Sequence, residues 1–172
     1  MNFLKDQFFN YKKALPYKST FQNKKVQPKQ DQKNINPLYT TSKIILIGED
    51  DADDEDLLKE IFTSIDDSFT LMFVNNGYKL INTLEQMKAG NLPCLILLDY
   101  NMPEMNGAEV LEYLRQDEIF HNIPKIIWST SKSDTYRKVC KDLGAMDYII
   151  KPSNIKDLKD TIRFMLSICR SD

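Results

Sequence analysis

The sequence predicts a doubly wound α/β domain with a five-stranded parallel sheet, preceded by a polar extension. From residue 43 onward, short runs rich in Ile, Leu and Val alternate with amphipathic segments of helical periodicity, and five such repeats are present. The short runs are almost continuously apolar, which is typical of parallel strands covered by helices on both faces. The 172 residues, 42% of them hydrophobic, suffice for one packed core.

Each element follows from its own pattern. The predicted strands are Lys43–Ile47, Thr70–Val74, Leu95–Leu98, Lys125–Ser129 and Asp147–Ile150. The predicted helices are Asp54–Ser64, Lys79–Ala89, Ala108–Gln116, Asp134–Leu143 and Ile155–Ile168. Gly144 stands where a glycine commonly ends a helix. The only histidine, His121, is expected at the surface in a polar loop.

Composition divides the chain near residue 42. All five glycines lie after that point, whereas residues 18–42 are rich in Lys, Gln and Asn and have few aliphatic side chains. We therefore predict a domain at 43–172 and a basic, disordered extension at 1–42. Four apolar residues near the start recur at helical spacing: Leu4, Phe8, Tyr11 and Leu15. A short amphipathic docking helix and an over-long translation start are both open readings of this extension.

The two parts carry opposite charge. The extension has eight Lys against two Asp, a net charge of +6, whereas the rest has 15 basic and 23 acidic residues, a net charge of −8. An acidic body argues against nucleic-acid binding through the folded domain. No apolar run approaches the roughly 18 residues of a membrane span, so we expect a cytoplasmic protein. Three cysteines, odd in number and widely spaced, are expected to be reduced thiols without a metal: Cys94, Cys140 and Cys169.

A dense run of carboxylates follows the first predicted strand, at the sheet edge where doubly wound domains hold their ligands. Six Asp or Glu residues stand between Glu49 and Glu55, and their mutual repulsion is costly unless water or a cation screens it. The helix dipole favours acidic residues in a first turn, which accounts for Asp53 to Glu55 but not for Glu49 and Asp50. The sequence therefore predicts a hard cation beside these two.

The later strands also end in reactive groups. Asp99 follows four apolar residues directly, Ser129 and two further hydroxyl residues end the fourth strand, and Lys151 ends the fifth. Carboxylates from neighbouring strands form the incomplete oxygen shell that Mg²⁺ accepts. A carboxylate nucleophile, a divalent cation, a hydroxyl and an ammonium are what phosphoryl transfer to an aspartate requires.

Four separated motifs resemble the receiver domains of two-component response regulators. They are ILIGEDD at 45–51, LLDYNMPEMNG at 97–107, IIWSTS at 126–131 and DYIIKP at 147–152. They occur in the family's order, Ser129 and Lys151 follow Asp99 by 30 and 52 residues, and the resemblance covers 43–170. It implies a flavodoxin-like (βα)5 fold with strand order 2-1-3-4-5.

The resemblance also implies residue roles. Asp99 is the phosphoacceptor, Asp50 the main Mg²⁺ carboxylate with Glu49 assisting, Asn101 a metal ligand through its backbone carbonyl, and Lys151 the cation on the phosphoryl oxygens. Two further residues form the switch: the Ser129 hydroxyl turns toward the phosphoryl group and the Tyr148 ring follows it inward. Their movement would remodel the face of the predicted fourth and fifth helices.

Some positions depart from the family pattern or are left open by it. Gly48 replaces a more usual apolar residue, Glu49 stands where Asp is common, and Trp128 is bulkier than the typical residue of the fourth strand. The family often has a cis bond before the proline that matches Pro152, and the sequence does not fix the isomer.

The function that follows is that of a stand-alone receiver domain. A sensor histidine kinase or phosphotransfer protein would phosphorylate Asp99, and the change would switch contacts with a downstream protein that the sequence does not identify. We expect no output domain, no reaction beyond its own phosphorylation and dephosphorylation, and a monomer or weak dimer.

Three other functions are alternatives to that of a receiver domain. A haloacid-dehalogenase-like phosphohydrolase also uses a strand-end Asp and Mg²⁺, but it needs a second Asp where Asn101 stands. A flavin-binding electron carrier needs phosphate-binding Ser, Thr and Gly residues where the carboxylate run stands. A phosphorylation-independent interaction module stays open, because a complete site does not prove a working switch.

Overall fold

The computed structural model describes residues 43–170. The strands are Ile44–Gly48 (β1), Thr70–Val74 (β2), Leu95–Asp99 (β3), Lys125–Ser129 (β4) and Asp147–Ile150 (β5). The helices are Ala52–Ile65 (α1), Gly77–Met87 (α2), Gly107–Leu114 (α3), Glu118–His121 (α4), Asp134–Asp142 (α5) and Ile155–Arg170 (α6). Every predicted strand and helix is present to within two residues at each end. The predicted extension and its amphipathic helix lie outside the described residues.

Helix α4 was not predicted, and the expected loop around His121 is wrong. His121 is exposed as expected, but it lies in the single turn of α4. The Asp117 side chain caps this turn by accepting a hydrogen bond from the Ile119 N–H, and Phe120 is fully buried beneath it. One turn is too short to produce a hydrophobic period, so only the capping residue hinted at it.

The five strands pair in parallel in the order β2-β1-β3-β4-β5, which confirms the predicted fold class. The register sets Gly48 against Leu98 and Asp99 against Trp128. Because all strands run the same way, their carboxyl ends share one edge of the sheet. The strand order reverses between β1 and β3, and this switch point is where such sheets hold their ligands.

Helices cover the sheet on both faces. The first face packs against α1 and α6, because alternate strand residues point toward it. Its buried members are Ile45, Ile47, Leu58, Ile61, Phe62, Leu95, Leu97, Ile126, Trp128, Leu158, Ile162, Met165, Leu166 and Cys169. On the other face, α2 and α3 bury Leu80, Leu84, Val110 and Leu111. The two layers hold the strand ends rigidly, which fixes the side chains that leave them.

Two local features bear on the expectations from sequence. Gly144 follows α5 with a φ of 93°, the left-handed conformation that a glycine adopts readily, and so ends the helix as predicted. The described residues contain no cis peptide bond, so the bond between Lys151 and Pro152 is trans.

Within residues 43–170, no helix combines the length and the apolar character needed to cross a membrane.

The cysteines differ from the prediction. Cys94, just before β3, and Cys169, in the last turn of α6, form a disulfide with Cα atoms 5.2 Å apart, so the expectation of reduced thiols is wrong for this pair. Cys140 on α5 is a free, buried thiol, as expected. The pairing was not visible in the sequence because 75 residues separate the two cysteines and only the packing of α6 brings them together.

Lys125 is a buried cation at the start of β4. Its residue is only 3% exposed, and its Nζ donates hydrogen bonds to the carbonyls of His121 and Ile123 at 2.9 and 2.7 Å. Burial lowers the pKa of this amine to about 8 from its ordinary value of 10.5. The ammonium therefore caps α4, at a cost in hydration that the two carbonyls offset only in part.

We expect this group to make stability rise with pH. Between about pH 8 and 10.5 the unfolded chain keeps the Lys125 proton while the folded protein loses it. Relative to Lys125→Met, the free energy of unfolding of the wild type should increase by roughly 3 kcal/mol across this window. Urea unfolding at several pH values would measure the difference.

A control lysine separates this effect from general alkaline titration. Lys138 is 76% exposed at its side chain, so Lys138→Met should show no such divergence from the wild type. Parallel pH curves for the wild type and Lys125→Met would contradict the prediction.

Candidate functional site

Three carboxylates converge at the carboxyl ends of β1 and β3. Glu49, Asp50 and Asp99 each offer a carboxylate oxygen within 4.8 Å of the others. Glu49 and Asp99 are buried, at 2% and 7% exposure, whereas Asp50 faces solvent. The Glu49 N–H donates to the carbonyl of Val74 at the end of β2, which anchors the start of the loop. The group is thus rigid on one side and open to water on the other.

Lys151 reaches these carboxylates from the end of β5. Its Nζ lies 2.6 Å from Asp99 Oδ2, 2.9 Å from Glu49 Oε2 and 2.6 Å from Asp54 Oδ2. Its backbone N–H donates to the carbonyl of Ser129 at 2.8 Å, so β4 and β5 stay paired up to the site. The structure therefore brings together four residues predicted from sequence: Glu49, Asp50, Asp99 and Lys151.

Burial and charge compete in this group. Burial raises the pKa of Glu49 to about 7, although the hydrogen bond and charge of Lys151 act to lower it. Burial alone would lower the pKa of Lys151, but hydrogen bonds to Asp54, Asp99 and Glu49 outweigh it and hold the pKa above its ordinary value. The ammonium is therefore fixed in its charged form beside Asp99.

The carboxylate run divides into separate roles. Asp51 is the N-cap of α1, and its Oδ1 accepts hydrogen bonds from the N–H groups of Asp53 and Asp54. Asp54 contacts Lys151, a role that the helix-dipole interpretation missed. The sequence contains a signal for this role. Asp54 lies about one helical turn after the cap Asp51, and helical side chains tilt toward the N-terminus of the helix, here toward the end of β1. The length of Lys151's reach could not be read from the pattern.

The turn after β3 holds Asp99 in place. Asn101 is exposed, and its backbone N–H donates to Asp99 Oδ1 at 2.7 Å. The role of its carbonyl as a metal ligand stays a prediction. Gly107 closes this turn by donating its N–H to the carbonyl of Tyr100 at 3.0 Å. A Cβ on Gly107 would lie 2.7 Å from the carbonyl oxygen of Asp99, closer than real contacts allow.

Gly107→Ala should consequently destabilise the protein by roughly 1–3 kcal/mol, because the backbone of Asp99 and Tyr100 must move away. Urea unfolding would measure the loss. The matched control is Gly90→Ala, since the nearest atom to a Cβ on Gly90 lies 4.0 Å away. Equal midpoints for the two variants would show that the turn yields without cost.

Gly48 is close-packed for a different reason. A Cβ at this position would meet Met102 Sδ at 2.9 Å and Leu80 Cδ1 at 3.1 Å. Met102 is 6% exposed, so its side chain fills the space where the family usually has an apolar residue on β1. The departure at Gly48 is thus compensated from the turn after β3.

The two predicted switch residues, Ser129 and Tyr148, are both buried. Ser129 is fully buried at the end of β4, and its Oγ accepts a hydrogen bond from the Ser131 N–H at 3.1 Å. Within residues 43–170, its hydroxyl makes no hydrogen bond to Asp99 or Lys151. Tyr148 is 2% exposed, and its hydroxyl donates to the carbonyl of Ser131 at 3.1 Å.

An aromatic group connects the turn after β3 to α5. Tyr100 stacks on Tyr136 of α5, with ring centroids 4.6 Å apart, and meets the Tyr148 ring edge-on at 6.4 Å. Arg137 of α5 lies over the Tyr148 ring at 5.1 Å and donates from Nη1 to the Tyr148 carbonyl at 2.8 Å. The residue beside Asp99 is therefore packed directly against α5 and β5. Sequence reasoning did not find Tyr100, Tyr136 or Arg137.

The donor set fits a hard divalent cation. The three clustered carboxylates supply only oxygen ligands, and Asp50 leaves a side open for water. The carboxylates of Glu49, Asp54 and Asp99 contact the single ammonium of Lys151, and Asp50 adds a fourth carboxylate to the cluster. This excess of negative charge favours a cation that holds few protein ligands, as Mg²⁺ and Mn²⁺ do.

Comparison with known proteins identifies the family of the chain. A family model described as the response regulator receiver domain matches residues 45–163. The response regulator Rcp1 of Synechocystis sp. is 30% identical over 119 residues, which cover 67% of this chain and 81% of Rcp1. A probable transcriptional regulatory protein of Picosynechococcus sp. is 29% identical over 74% of this chain, and the match covers 50% of that protein. The chain thus spans about half or less of some curated relatives, including 31% of the response regulator ArlR of Staphylococcus saprophyticus.

Solved structures share the fold. The Mn²⁺-bound form of Rcp1 aligns with a TM-score of 0.65 and 29% identity, covering 73% of this chain and 92% of Rcp1. The phosphorylated cyanobacterial phytochrome response regulator RcpA aligns with a TM-score of 0.68 and 28% identity, covering 75% of this chain and 94% of RcpA.

Proposed function

Because the chain belongs to the response regulator receiver domain family of two-component signalling, we propose that Asp99 accepts a phosphoryl group and that its phosphorylation switches protein contacts. The observation that carries this proposal is the position of the Lys151 ammonium, 2.6 Å from Asp99 Oδ2, beside a cluster of carboxylates that Glu49, Asp50 and Asp99 form. A nucleophilic carboxylate, a fixed ammonium and an oxygen site for a divalent cation occupy one rim of the sheet. The phosphorylated relative RcpA supports the same reading.

The chemistry needs no general base, since an ionised carboxylate is already a nucleophile. An Asp99 oxygen attacks the phosphorus of the donor, the new O–P bond forms, and the bond from phosphorus to the leaving group breaks with its electron pair on that group. Lys151 neutralises charge on the transferred oxygens, and the Asn101 N–H keeps the Asp99 carboxylate oriented. Mg²⁺, held by Glu49, Asp50, Asp99 and the Asn101 carbonyl, would supply further neutralisation of phosphoryl charge.

The switch would use residues that the site already connects. The Ser129 hydroxyl would turn from the Ser131 N–H toward a phosphoryl oxygen, which releases part of the loop that follows β4. Tyr148 donates a hydrogen bond to the Ser131 carbonyl and packs under Arg137, so a shift of this loop would reach β5 and α5. The size of the switch is limited by the contacts that phosphorylation gains.

We also propose the partners of the protein, its cellular compartment and its oligomeric state. The donor would be a sensor histidine kinase or a phosphotransfer protein, and the recipient of the signal an unidentified downstream protein. The domain at 43–172 would act as a cytoplasmic module that catalyses only its own phosphorylation and dephosphorylation, as a monomer or weak dimer, without binding nucleic acid. In a reducing compartment, Cys94 and Cys169 would exist as adjacent thiols.

Phosphorylation by a small donor tests the proposal. We expect acetyl phosphate with Mg²⁺ to add the mass of one phosphoryl group, stable in acid and lost in base, and to add none when a chelator removes the cation. Peptide mapping should place the group on Asp99. A protein that binds Mg²⁺ but takes no phosphoryl group would instead be a phosphorylation-independent interaction module.

A further inference from the structure

Asp54 has no role in the four motifs that carry the family resemblance, yet it touches the ammonium at the centre of the site. Lys151 Nζ is bound by three carboxylates, two from strand ends and the third from the first turn of α1. The Asp54 contact, at 2.6 Å, is as short as the contact to Asp99. A lysine ammonium has three N–H donors, and the three carboxylates engage all of them.

The position of Asp54 is built into the helix start. The Asp51 side chain accepts a hydrogen bond from the Asp54 N–H, which fixes where the Asp54 side chain leaves α1. The Asp54 side chain therefore lies on the solvent-facing side of the three carboxylates that contact Lys151. Its side chain is 38% exposed, against 1% for Glu49 and 10% for Asp99.

This difference in exposure decides which contact can be exchanged. A phosphoryl oxygen on Asp99 would be a further acceptor for the Lys151 ammonium, whose N–H donors are already engaged by Asp99, Glu49 and Asp54. Releasing Glu49 would leave a side chain that is only 1% exposed without this hydrogen-bond donor, at a place where water does not readily replace it. Releasing Asp54 costs less, because water can replace the ammonium at its exposed oxygens.

We propose that Asp54 is a positioning residue that acts through Lys151 by competing with the phosphoryl group for its ammonium. This inference rests on the proposed function, since it concerns the same site. In the unphosphorylated protein Asp54 holds the ammonium toward α1. On phosphorylation Lys151 exchanges the Asp54 carboxylate for a phosphoryl oxygen, so Asp54 lowers the affinity of the site for the phosphoryl group.

An equilibrium probe measures this competition without the complication of hydrolysis. Beryllofluoride, which stands in for a phosphoryl group on a carboxylate, would be titrated at saturating Mg²⁺, with fluorine NMR as the readout. Asp54→Asn removes the negative charge that holds one N–H donor of Lys151, and we expect its apparent Kd to fall about two- to fivefold below that of the wild type. Asp54→Glu keeps the carboxylate and should restore an affinity near that of the wild type.

The matched control is Asp53→Asn. Asp53 lies in the same turn and carries the same charge, but its side chain is absent from the contacts of Lys151. This variant should leave the Kd close to the wild-type value. Equal effects of the Asp53 and Asp54 variants would reduce the finding to bulk electrostatics and overturn the proposal, as would weaker binding in Asp54→Asn. Urea unfolding of each variant would identify any general loss of stability.

Failure of the inference is distinct from failure of the proposed function. A wild type that binds no beryllofluoride would contradict phosphorylation at Asp99 itself. A wild type that binds it with an affinity unchanged by Asp54→Asn would contradict only the competition for Lys151.

Discussion

Asp99→Asn should reduce labelling by acetyl phosphate to background. The amide oxygen of asparagine is a poor nucleophile and carries no charge, so the O–P bond cannot form at this position. Glu49 and Asp50 follow β1, so neither takes the position of Asp99 at the end of β3. Intact-mass spectrometry with Mg²⁺ present would measure the loss.

A nearby Asp→Asn change provides the control for charge. Asp51 belongs to the same acidic run, but its side chain caps α1, and asparagine caps a helix equally well. Asp51→Asn should therefore fold normally and keep its labelling. The Asp99 variant should also stay folded, because Lys151 retains Glu49 and Asp54. Labelling of a folded Asp99→Asn protein would place the phosphoacceptor elsewhere.

Reduction of the disulfide between Cys94 and Cys169 should lower the free energy of unfolding by about 4 kcal/mol. The bond closes a loop across a sequence separation of 75 residues, and such a crosslink chiefly restricts the unfolded chain. It also ties the last turn of α6 to the start of β3, at the opposite end of this strand from Asp99. Urea unfolding of the oxidised protein with and without a dithiol reductant would measure the change.

Two features of the chain allow the effect of the disulfide on stability to be measured separately from other effects of the reductant. Cys140 is free and buried, so the reductant has no other disulfide to act on among the described cysteines. Cys94→Ala removes the bond at its less buried end, and its unfolding midpoint should match that of the reduced wild type and not respond to reductant. Identical midpoints for oxidised and reduced wild type would show that the crosslink adds no stability.

Sequence patterns predicted most of the fold because each element has a strong local signal. Apolar runs marked the strands, helical spacing marked the longer helices, and the strand order followed from the family resemblance. The strand ends then placed Glu49, Asp50, Asp99 and Lys151 on one rim, where the structure brings them together. Such residues are predictable because the end of a parallel strand fixes a position in space.

The features that were missed depend on packing between distant elements. The disulfide forms because α6 lies beside the start of β3. Tyr100 stacks on Tyr136 because α5 packs against the turn after β3. Asp54 was assigned to the helix dipole because its spacing suits a first turn, and only the reach of Lys151 shows the second role. A periodic pattern reports which face a residue takes, not which side chain meets it there.

Because Met102 packs against Gly48, the residue types at these two positions depend on each other. A Cβ at Gly48 would lie 2.9 Å from Met102 Sδ, so a larger residue at this position requires the Met102 side chain to move or to be shorter. Among relatives, sequences with a bulky aliphatic residue at the first position should carry a smaller residue at the second. When a loop from such a relative is grafted onto this chain, changing both positions together should therefore be tolerated better than changing either one alone.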